Sequence, residues 1–177
     1  MYRNSRYERE KKKVDKFIDD NWELYDMIVY YIMRRIPKAR HLVRSITILE
    51  GPPTEEMPYF KNVLDSYNEM ENCGCCIDSI IYIYADRLKT LSVGTITKYE
   101  KYKNINKLFI QMFVGALSHE IYHILDCDEL DPEELVKLRE TVEKYGLDQE
   151  CEDRVNNKAR EFVKKHHKKL IRKILKI

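Results

Sequence analysis

Apolar residues recur at helical spacing through the first part of the chain. They stand mostly three or four positions apart, at Val14, Phe17, Ile18, Trp22, Tyr25, Ile28, Val29, Ile32 and Ile36. One face of a helix would therefore be apolar. Pro37 follows, and the residue before a proline is disfavoured in helical conformation. The pattern predicts one long packing helix within residues 1–40 that Pro37 closes.

The middle of the chain alternates between strand-like and turn-like segments. Val43 to Leu49 is rich in β-branched residues and predicts a strand. A loop and a short helical pattern follow, marked first by Gly51, Pro52, Pro53 and Pro58 and then by Phe60, Val63, Leu64, Tyr67 and Met70. Ile77 to Ala85 predicts a second strand, rich in isoleucine and tyrosine, and Val93 to Tyr99 predicts a weaker third one.

The apolar run that begins near Leu108 leaves almost no polar face. Its members are Leu108, Phe109, Ile110, Met112, Phe113, Val114, Ala116, Leu117, Ile121, Ile124 and Leu125. Asn104 and Asn106 precede the run as candidate N-caps. A helix that is apolar all round is buried, so any charged or polar side chain within it needs a partner.

Two histidines and a glutamate lie inside this run, in the segment His119-Glu120-Ile121-Tyr122-His123. On a helix, both imidazoles project from one face and can share a metal ion. Neutral imidazole nitrogen suits zinc, and Glu120 is offset towards a water molecule beside the metal. The alternative is a pair of core histidines satisfied by hydrogen bonds. Two imidazoles and a buried carboxylate without partners would be costly, which favours the metal site.

A catalytic zinc takes three protein ligands, and the downstream sequence supplies a third. Asp131-Pro132-Glu133-Glu134 predicts the start of a helix, and Gly146 predicts its end. Asp148 predicts the cap of a final helix that runs to Ile177. Two glutamates, Glu150 and Glu152, lie in the first turn of that helix.

Helical periodicity distinguishes these two glutamates. Glu152 shares its stripe with Val155, Ala159, Phe162, Val163, Leu170 and Ile174. Glu150 shares its stripe with Asp153, Arg154, Asn157, Glu161, Lys164 and Lys168. The first stripe is apolar and must face the core. We therefore expect Glu152 to point inward and to complete the metal site, and Glu150 to face solvent.

In these residues the chain resembles the gluzincin metallopeptidases, in which a helix carrying HExxH is followed by a second helix that supplies a glutamate ligand. It is similar to the small archaeal minigluzincins and to the family of repressor-cleaving peptidases, whose glutamate helix tends to read Glu-x-x-Ala-Asn. Here Glu152-Asp153-Arg154-Val155-Asn156 keeps the glutamate and the asparagine, with Val155 in place of alanine. The resemblance implies an α+β, zincin-like fold, with a small mixed sheet packed on a buried HExxH helix and a glutamate-bearing C-terminal helix.

The expected function is that of a zinc-dependent peptidase. One Zn²⁺ ion would be held by His119, His123 and Glu152, and Glu120 would act as the general base for a metal-activated water. The substrate would be a peptide or protein lying extended across the metal. Resemblance to the gluzincins places an edge strand above the cleft, and Val93 to Tyr99 is the expected strand.

Four further residues are candidates for supporting roles. Tyr145 or His166 could donate a hydrogen bond to the oxyanion, although residues of these types often simply pack. Asn156 and Asp126 lie one turn beyond Glu152 and His123 and could orient the ligands. The alternative for these two is that they cap or solvate helix ends.

Length and composition favour a single metallopeptidase-like domain over residues 1–177. Its parts would be the N-terminal packing helix (1–40), the sheet and active-site helix (41–126) and the glutamate-ligand part (127–177). The first residues, Met1 to Lys13, are polar, and the longest uncharged apolar stretch, Leu108 to Ser118, is too short to cross a bilayer. We expect a cytoplasmic protein without a transmembrane segment.

The five cysteines leave several interpretations open. Cys73, Cys75 and Cys76 could help to hold a second zinc ion, although their C-x-C-C spacing is unusual for a zinc site. Cys127 and Cys151 bracket the ligand segments, and a disulfide between them would tie the two ligand helices together. Buried free thiols in a reducing cytosol are the other interpretation.

Positive charge is concentrated near the C-terminus. Between Lys158 and Lys176 there are nine Lys or Arg against the single Glu161, a balance of +8, whereas the whole chain is +2. This basic amphipathic helix could bind nucleic acid or an anionic surface, which gives a non-catalytic, metal-containing binding protein as the alternative function. A solvated face on a packed helix explains the same charges.

Overall fold

Helices dominate the structure, and one small sheet lies among them. The computed structural model describes residues 2–69, 72–145 and 148–175, without the side chains at positions 2–4, 143 and 145. The elements in chain order are α1 (Tyr2–Asp19), α2 (Leu24–Met33), α3 (Ala39–Leu42), β1 (Ser45–Leu49), α4 (Phe60–Asn68), β2 (Gly74–Ile77), β3 (Ile80–Tyr84), α5 (Ala85–Lys98), α6 (Ile105–Glu129), α7 (Pro132–Tyr145) and α8 (Gln149–Leu175). The predicted combination of helices with a small mixed sheet is confirmed.

Helix α6 is the central element, and it packs against α8, α5, α1 and the sheet. Its buried residues recur at helical spacing from Ile105 to Asp126. The predicted burial on all sides is wrong, because Gln111, Met112, Gly115 and Ala116 are only half-buried and line an open groove. Asn104 caps its N-terminus, where the side chain accepts a hydrogen bond of 3.0 Å from the backbone N–H of Lys107. Asn106, the other candidate cap, lies inside the helix with its side-chain oxygen buried and without a hydrogen-bond partner.

The length and apolar composition of α6 would allow it to cross a membrane. In this protein, 61% of its most apolar window is buried against other elements. The core helix of a soluble protein has the same character, and the packing of α6 is that of a core helix. It is the only candidate span among the described residues.

The sheet has the strand order β1-β3-β2, with β1 parallel and β2 antiparallel to β3. A two-residue turn joins β2 to β3, and both of its residues, Asp78 and Ser79, have positive φ angles of 48° and 62°. Such turns match the twist of the two strands. The strand predicted over Ile77 to Ala85 therefore has the wrong bounds, because Ile77 belongs to β2 and the segment turns before β3. The strand predicted from Val43 begins at Ser45.

The strand predicted over Val93 to Tyr99 is wrong, because the segment lies in α5 and at its C-cap. Buried residues of α5 recur at helical spacing, at Ala85, Leu88, Ser92, Val93 and Ile96. This face packs against α1 and α6. The β-branched residues of this segment would favour a strand, but that preference is largely an effect of side-chain packing. In α5 the packing of an amphipathic helical face outweighs it. The expected edge strand above the cleft is therefore not formed by these residues.

The single N-terminal helix predicted within residues 1–40 is two helices, α1 and α2. Asn21 stands at the break, where its side chain donates a hydrogen bond of 2.8 Å to the carbonyl of Phe17 and satisfies the end of α1. Trp22 follows and is 80% exposed, although the periodicity places it on the apolar face. Residues on both sides of the break, from Val14 to Ile36, still contribute to the main core.

The first residue of β2, Gly74, lies where a side chain cannot fit. A Cβ atom there would stand 2.7 Å from the carbonyl oxygen of Tyr82 and 3.0 Å from Cδ1 of Ile83. We expect Gly74→Ala to lower the free energy of unfolding by about 1–3 kcal/mol, because backbone must shift to relieve the contact. Urea or thermal unfolding measures the change.

The matched control is Gly94→Ala, at an exposed position within α5 that has nothing within 4 Å of the added Cβ. Alanine is the better helix former, so this variant should gain about 0.5–1 kcal/mol. Changes of the same sign and size in the two variants would contradict the close approach described for Gly74.

Candidate metal centre

Helices α6 and α8 bring three potential metal ligands to one point. His119 and His123 lie one turn apart on α6, with their Nε2 atoms 2.9 Å from each other. Glu152, in the first turn of α8, places one oxygen 3.1 Å from Nε2 of His123 and the other 3.5 Å from Nε2 of His119. Among the described His, Cys, Asp and Glu residues, these form the one group of three whose ligand atoms converge, all within 4.8 Å.

The three side chains are close enough to share one metal ion. The two histidine nitrogens are 2.9 Å apart, and each lies within 3.5 Å of an oxygen of Glu152, although the two oxygens differ. The predicted meeting of His119, His123 and Glu152 is confirmed, whereas metal binding by them stays a prediction.

Both histidines are held in the form that can bind a metal. Burial and the neighbouring His123 lower the pKa of His119, against the opposing effects of Glu152 and a hydrogen bond with Asn156. Burial lowers the pKa of His123, against the opposing charge of Asp126. Only a neutral imidazole nitrogen can ligate a metal, so the environment favours the competent state near neutral pH.

The predicted register of α8 is confirmed. Its apolar stripe is buried at Val155, Ala159, Phe162, Leu170 and Ile174. The side chain of Glu152 is 31% exposed and faces α6, whereas that of Glu150 is 87% exposed and pairs with Arg154 at 3.3 Å. Asp148 caps the helix by accepting a 2.8 Å hydrogen bond from the backbone N–H of Cys151.

The helix before α8 starts as predicted but its end is not described. Asp131 accepts hydrogen bonds of 2.9 Å from the backbone N–H groups of Glu133 and Glu134 at the start of α7. Gly146, the predicted end, lies outside the described residues. The same holds for the side chain of Tyr145, one of the two candidates for an oxyanion donor.

Glu120 is buried between α6 and β2. A Cβ atom at position 74 would stand 3.4 Å from Cγ of Glu120, so Gly74 leaves the space that this side chain occupies. Burial and then the charge of Glu152 raise the pKa of Glu120 to about 8, against a hydrogen bond with the Cys76 thiol that acts in the opposite direction. A carboxyl group with a pKa near neutrality can both accept and release a proton.

Asp126 ties α6 to α8 next to the ligands. One of its oxygens accepts hydrogen bonds of 2.8 and 3.2 Å from the Arg154 guanidinium, and the other accepts one of 2.8 Å from Lys158. Burial raises the pKa of Asp126, but Lys158 and Arg154 together outweigh it and hold the pKa below its ordinary value. Asp126 therefore supports the site by fixing α8, and Asn156 lies beside His119 in both cavities at the site.

The structure does not bring His166, the other candidate for an oxyanion donor, to the site. The centre of its ring lies 4.6 Å from that of Phe162 and 6.5 Å from that of Tyr31. Its backbone carbonyl accepts a hydrogen bond of 3.2 Å from the hydroxyl of Tyr31. His166 thus faces α2, and its predicted catalytic role is wrong.

All five cysteines are free thiols, as one of the interpretations expected, and the alternative of a disulfide between Cys127 and Cys151 is not formed. Cys151 instead places its sulfur 3.6 Å from a carboxylate oxygen of Asp126. Cys75 and Cys76 are neighbours on β2 and so point to opposite faces of the sheet, Cys76 towards the main core and Cys75 towards Tyr84. A second zinc site built on the cysteine cluster finds no support, because no other group of three donors converges among the described residues.

Two cavities open onto His119 and Glu120. One, of about 640 Å³, extends towards α7 and is bounded there by Leu138 and Val142. The other, of about 550 Å³, is the α6–α8 groove, whose walls include Gln111, Met112, Gly115 and Ala116 of α6 and Asn156, Ala159, Arg160, Val163 and Lys164 of α8. The candidate centre is thus accessible to a substrate as well as to an ion.

Sequence reasoning missed several residues around the centre, namely Gly74, Cys76, Arg160 and Lys164. A glycine within a strand often marks a close approach of another group, and this signal was present at Gly74. Comparison of the chain with protein-family models, with curated proteins and with solved structures finds no match. The interpretation of the site therefore depends on its own geometry.

The register of α8 gives a prediction for metal affinity. We expect Glu152→Ala to weaken zinc binding at least about 100-fold, because removal of a ligand should cost more than loss of an outer-shell partner. Glu150→Ala, two positions away and solvent-exposed, is the matched control and should leave the affinity nearly unchanged. Competition with a chromophoric chelator measures both dissociation constants, and the reverse order of effects would contradict the assigned ligand set.

The ion pairs of Asp126 give a prediction for the pH dependence of stability. Asp126→Asn should lower the free energy of unfolding by about 1–2 kcal/mol at pH 7, a modest value because Arg154 and Lys158 are 40% and 38% exposed. A lowered folded pKa stabilises the protein above the ordinary aspartate pKa of 3.8, and this contribution is lost as the pH falls through the folded pKa.

The difference between wild type and Asp126→Asn should accordingly shrink below about pH 4. Urea unfolding at a series of pH values measures it. Asp128→Asn, an exposed position on the same helix, is the control and should show little difference at any pH. A constant difference between wild type and Asp126→Asn down to pH 2 would contradict the ionic origin of the effect.

Proposed function

We propose that the protein is a zinc-dependent peptidase in which His119, His123 and Glu152 hold one Zn²⁺ ion and Glu120 is the general base. The observation that carries this proposal is the convergence of the three ligand atoms within 4.8 Å, in a cavity that all three residues line together with Glu120. Three protein ligands leave a coordination position for water or substrate, as catalytic zinc sites require. A mixed sheet, an HExxH helix and a later glutamate helix also support a zincin-like fold of the gluzincin type.

Glu120 lines the same cavity as His119, His123 and Glu152, which is the position that a general base needs. Zinc, when bound, acidifies a water molecule and polarises a carbonyl oxygen. Glu120 accepts the proton of the attacking water and returns it to the leaving amide nitrogen, so that the C–N bond breaks after the new C–O bond forms. The close fit of Glu120 against Gly74 limits the directions in which its carboxyl group can point.

Strand β2 is the element best placed to hold an extended substrate. It is at the edge of the sheet, and β3 is its one partner among the described strands. Gly74 of β2 lines the α6–α8 groove together with His119 and Glu120. A peptide could therefore add to the outer edge of β2 through main-chain hydrogen bonds, which is the role first expected of Val93 to Tyr99.

A non-catalytic protein that binds nucleic acid or an anionic surface through α8 is the second candidate. Lys165, Lys168, Lys169 and Arg172 are exposed on that helix. The opposite side of the same turns is buried at Leu170, Ile171 and Ile174. Core packing thus explains the presence of the helix, and its charges are those of a solvated face.

The proposed chemistry predicts the behaviour of Glu120→Gln. This variant should keep its zinc, because no ligand is changed, and should lose about 10²- to 10⁴-fold in peptide hydrolysis, because the base is gone. Elemental analysis gives the zinc content, and mass spectrometry of a digested peptide mixture gives the rate. Glu129→Gln, at an exposed glutamate of the same helix, is the control. Undiminished cleavage by zinc-loaded Glu120→Gln would contradict the mechanism.

A further inference from the structure

Four basic residues of α8, from Arg154 to Lys164, have two different environments. Arg154 and Lys158 both donate hydrogen bonds to Asp126. Arg160 and Lys164 are exposed and line the α6–α8 groove, and neither forms an ion pair with any residue that the structure describes. The first pair is used to hold α8 on α6, whereas the second is available to a ligand in the groove.

Arg160 and Lys164 lie on one stripe of α8, and this stripe begins at the candidate metal centre. Asn156, which lines the groove beside His119, is followed by Arg160 and Lys164 at intervals of four residues, which places all three along one side of α8. Four residues of helix rise about 6 Å, and an extended peptide spans about 3.3–3.6 Å per residue. Arg160 and Lys164 are about 12 and 18 Å along the helix from the candidate ligand Glu152, and therefore about three to five substrate residues from the reacting bond.

Small and apolar side chains form much of the rest of the groove. Met112, Gly115 and Ala116 of α6 face Ala159 and Val163 of α8. A Cβ atom at position 115 would already touch Val163 at 3.9 Å, so the two helices approach closely there. Among the described residues that line the groove, the one carboxyl group belongs to Glu120.

We propose that the α6–α8 groove binds the substrate chain and selects peptides with an acidic side chain three to five residues from the scissile bond, through Arg160 and Lys164. The inference rests on the proposed peptidase function and names its substrate class. A guanidinium binds a carboxylate through two parallel hydrogen bonds, and an ammonium adds a point charge. Single-stranded nucleic acid fits the groove less well, because none of the described residues that line it is a Phe, Tyr or Trp on which bases could stack.

Binding to an inactive protein tests the selectivity without hydrolysis. Zinc-loaded Glu120→Gln protein is titrated by calorimetry with blocked, alanine-based octapeptides that carry one Glu, Gln or Lys at each position in turn. The best Glu peptide should bind about five- to tenfold more tightly than its Gln analogue. This advantage should decline as salt is added, because the groove is open to solvent.

Charge-reversal variants test whether Arg160 and Lys164 cause the preference for the Glu peptide. In the same inactive background, Arg160→Glu combined with Lys164→Glu should transfer the preference from the Glu peptide to the Lys peptide. Arg160→Gln combined with Lys164→Gln should abolish it, and serves if the reversed variant does not fold. Lys165→Glu combined with Lys168→Glu, at two exposed positions of the same helix that are not among the lining residues, is the charge-matched control and should keep the preference for Glu.

The outcomes separate this inference from the proposed function. Equal binding of the Glu, Gln and Lys peptides would overturn the acidic selectivity, as would tighter binding of a single-stranded oligonucleotide at the same ionic strength. If the Glu preference is found but zinc-loaded wild type cleaves no peptide, the peptidase proposal fails while the groove assignment stands. In an active enzyme the same five- to tenfold preference should appear in kcat/KM, mainly through KM.

Discussion

The packing of α8 on α6 is the interaction on which the candidate site depends. Two ligands come from α6 and one from α8, so a slip of one helical turn would move Glu152 by about 5.4 Å and separate it from the histidines. Apolar contact between the helices is not directional. The ion pairs of Asp126 with Arg154 and Lys158 are directional, and they fix the register at the end where the ligands lie. The geometry of the candidate metal centre thus depends on the register of the two helices.

Long segments with strong helical periodicity could be predicted from the sequence, and the shorter elements could not. The extent of α6, the caps Asn104 and Asp148 and the inward side of α8 follow from local patterns that tertiary structure did not override. The prediction of a strand over Val93 to Tyr99 is wrong because β-branched residues of this segment lie on the buried face of α5. Strand propensity reflects only the average environment of such residues. The turn at Asp78 and Ser79 lacks the glycine that usually marks a hairpin, so β2 and β3 were merged.

The candidate site likewise contains residues that the sequence predicts and residues that it does not. His119, Glu120 and His123 are defined by spacing within one helix, and Glu152 by the period of another, so all four could be named from the sequence. Residues that meet them across the fold could not. Gly74 indicates that something approaches the strand but not that it is Glu120, and the position of Arg160 and Lys164 in a groove depends on how two helices cross. These contacts join positions that are far apart in the chain. The local pattern of a single sequence does not reveal such contacts.

The exposure of Trp22 has a consequence for spectroscopy. It is the one tryptophan of the chain, and its indole is 80% exposed in the turn between α1 and α2. Its emission is therefore already that of a hydrated indole in the native protein, and it should change little when the chain unfolds or a ligand enters the groove. The aromatic signal of the core comes instead from buried tyrosines such as Tyr82 and Tyr84. Tyrosine absorbance, and not tryptophan fluorescence, is the optical property that reports on the native packing of this protein.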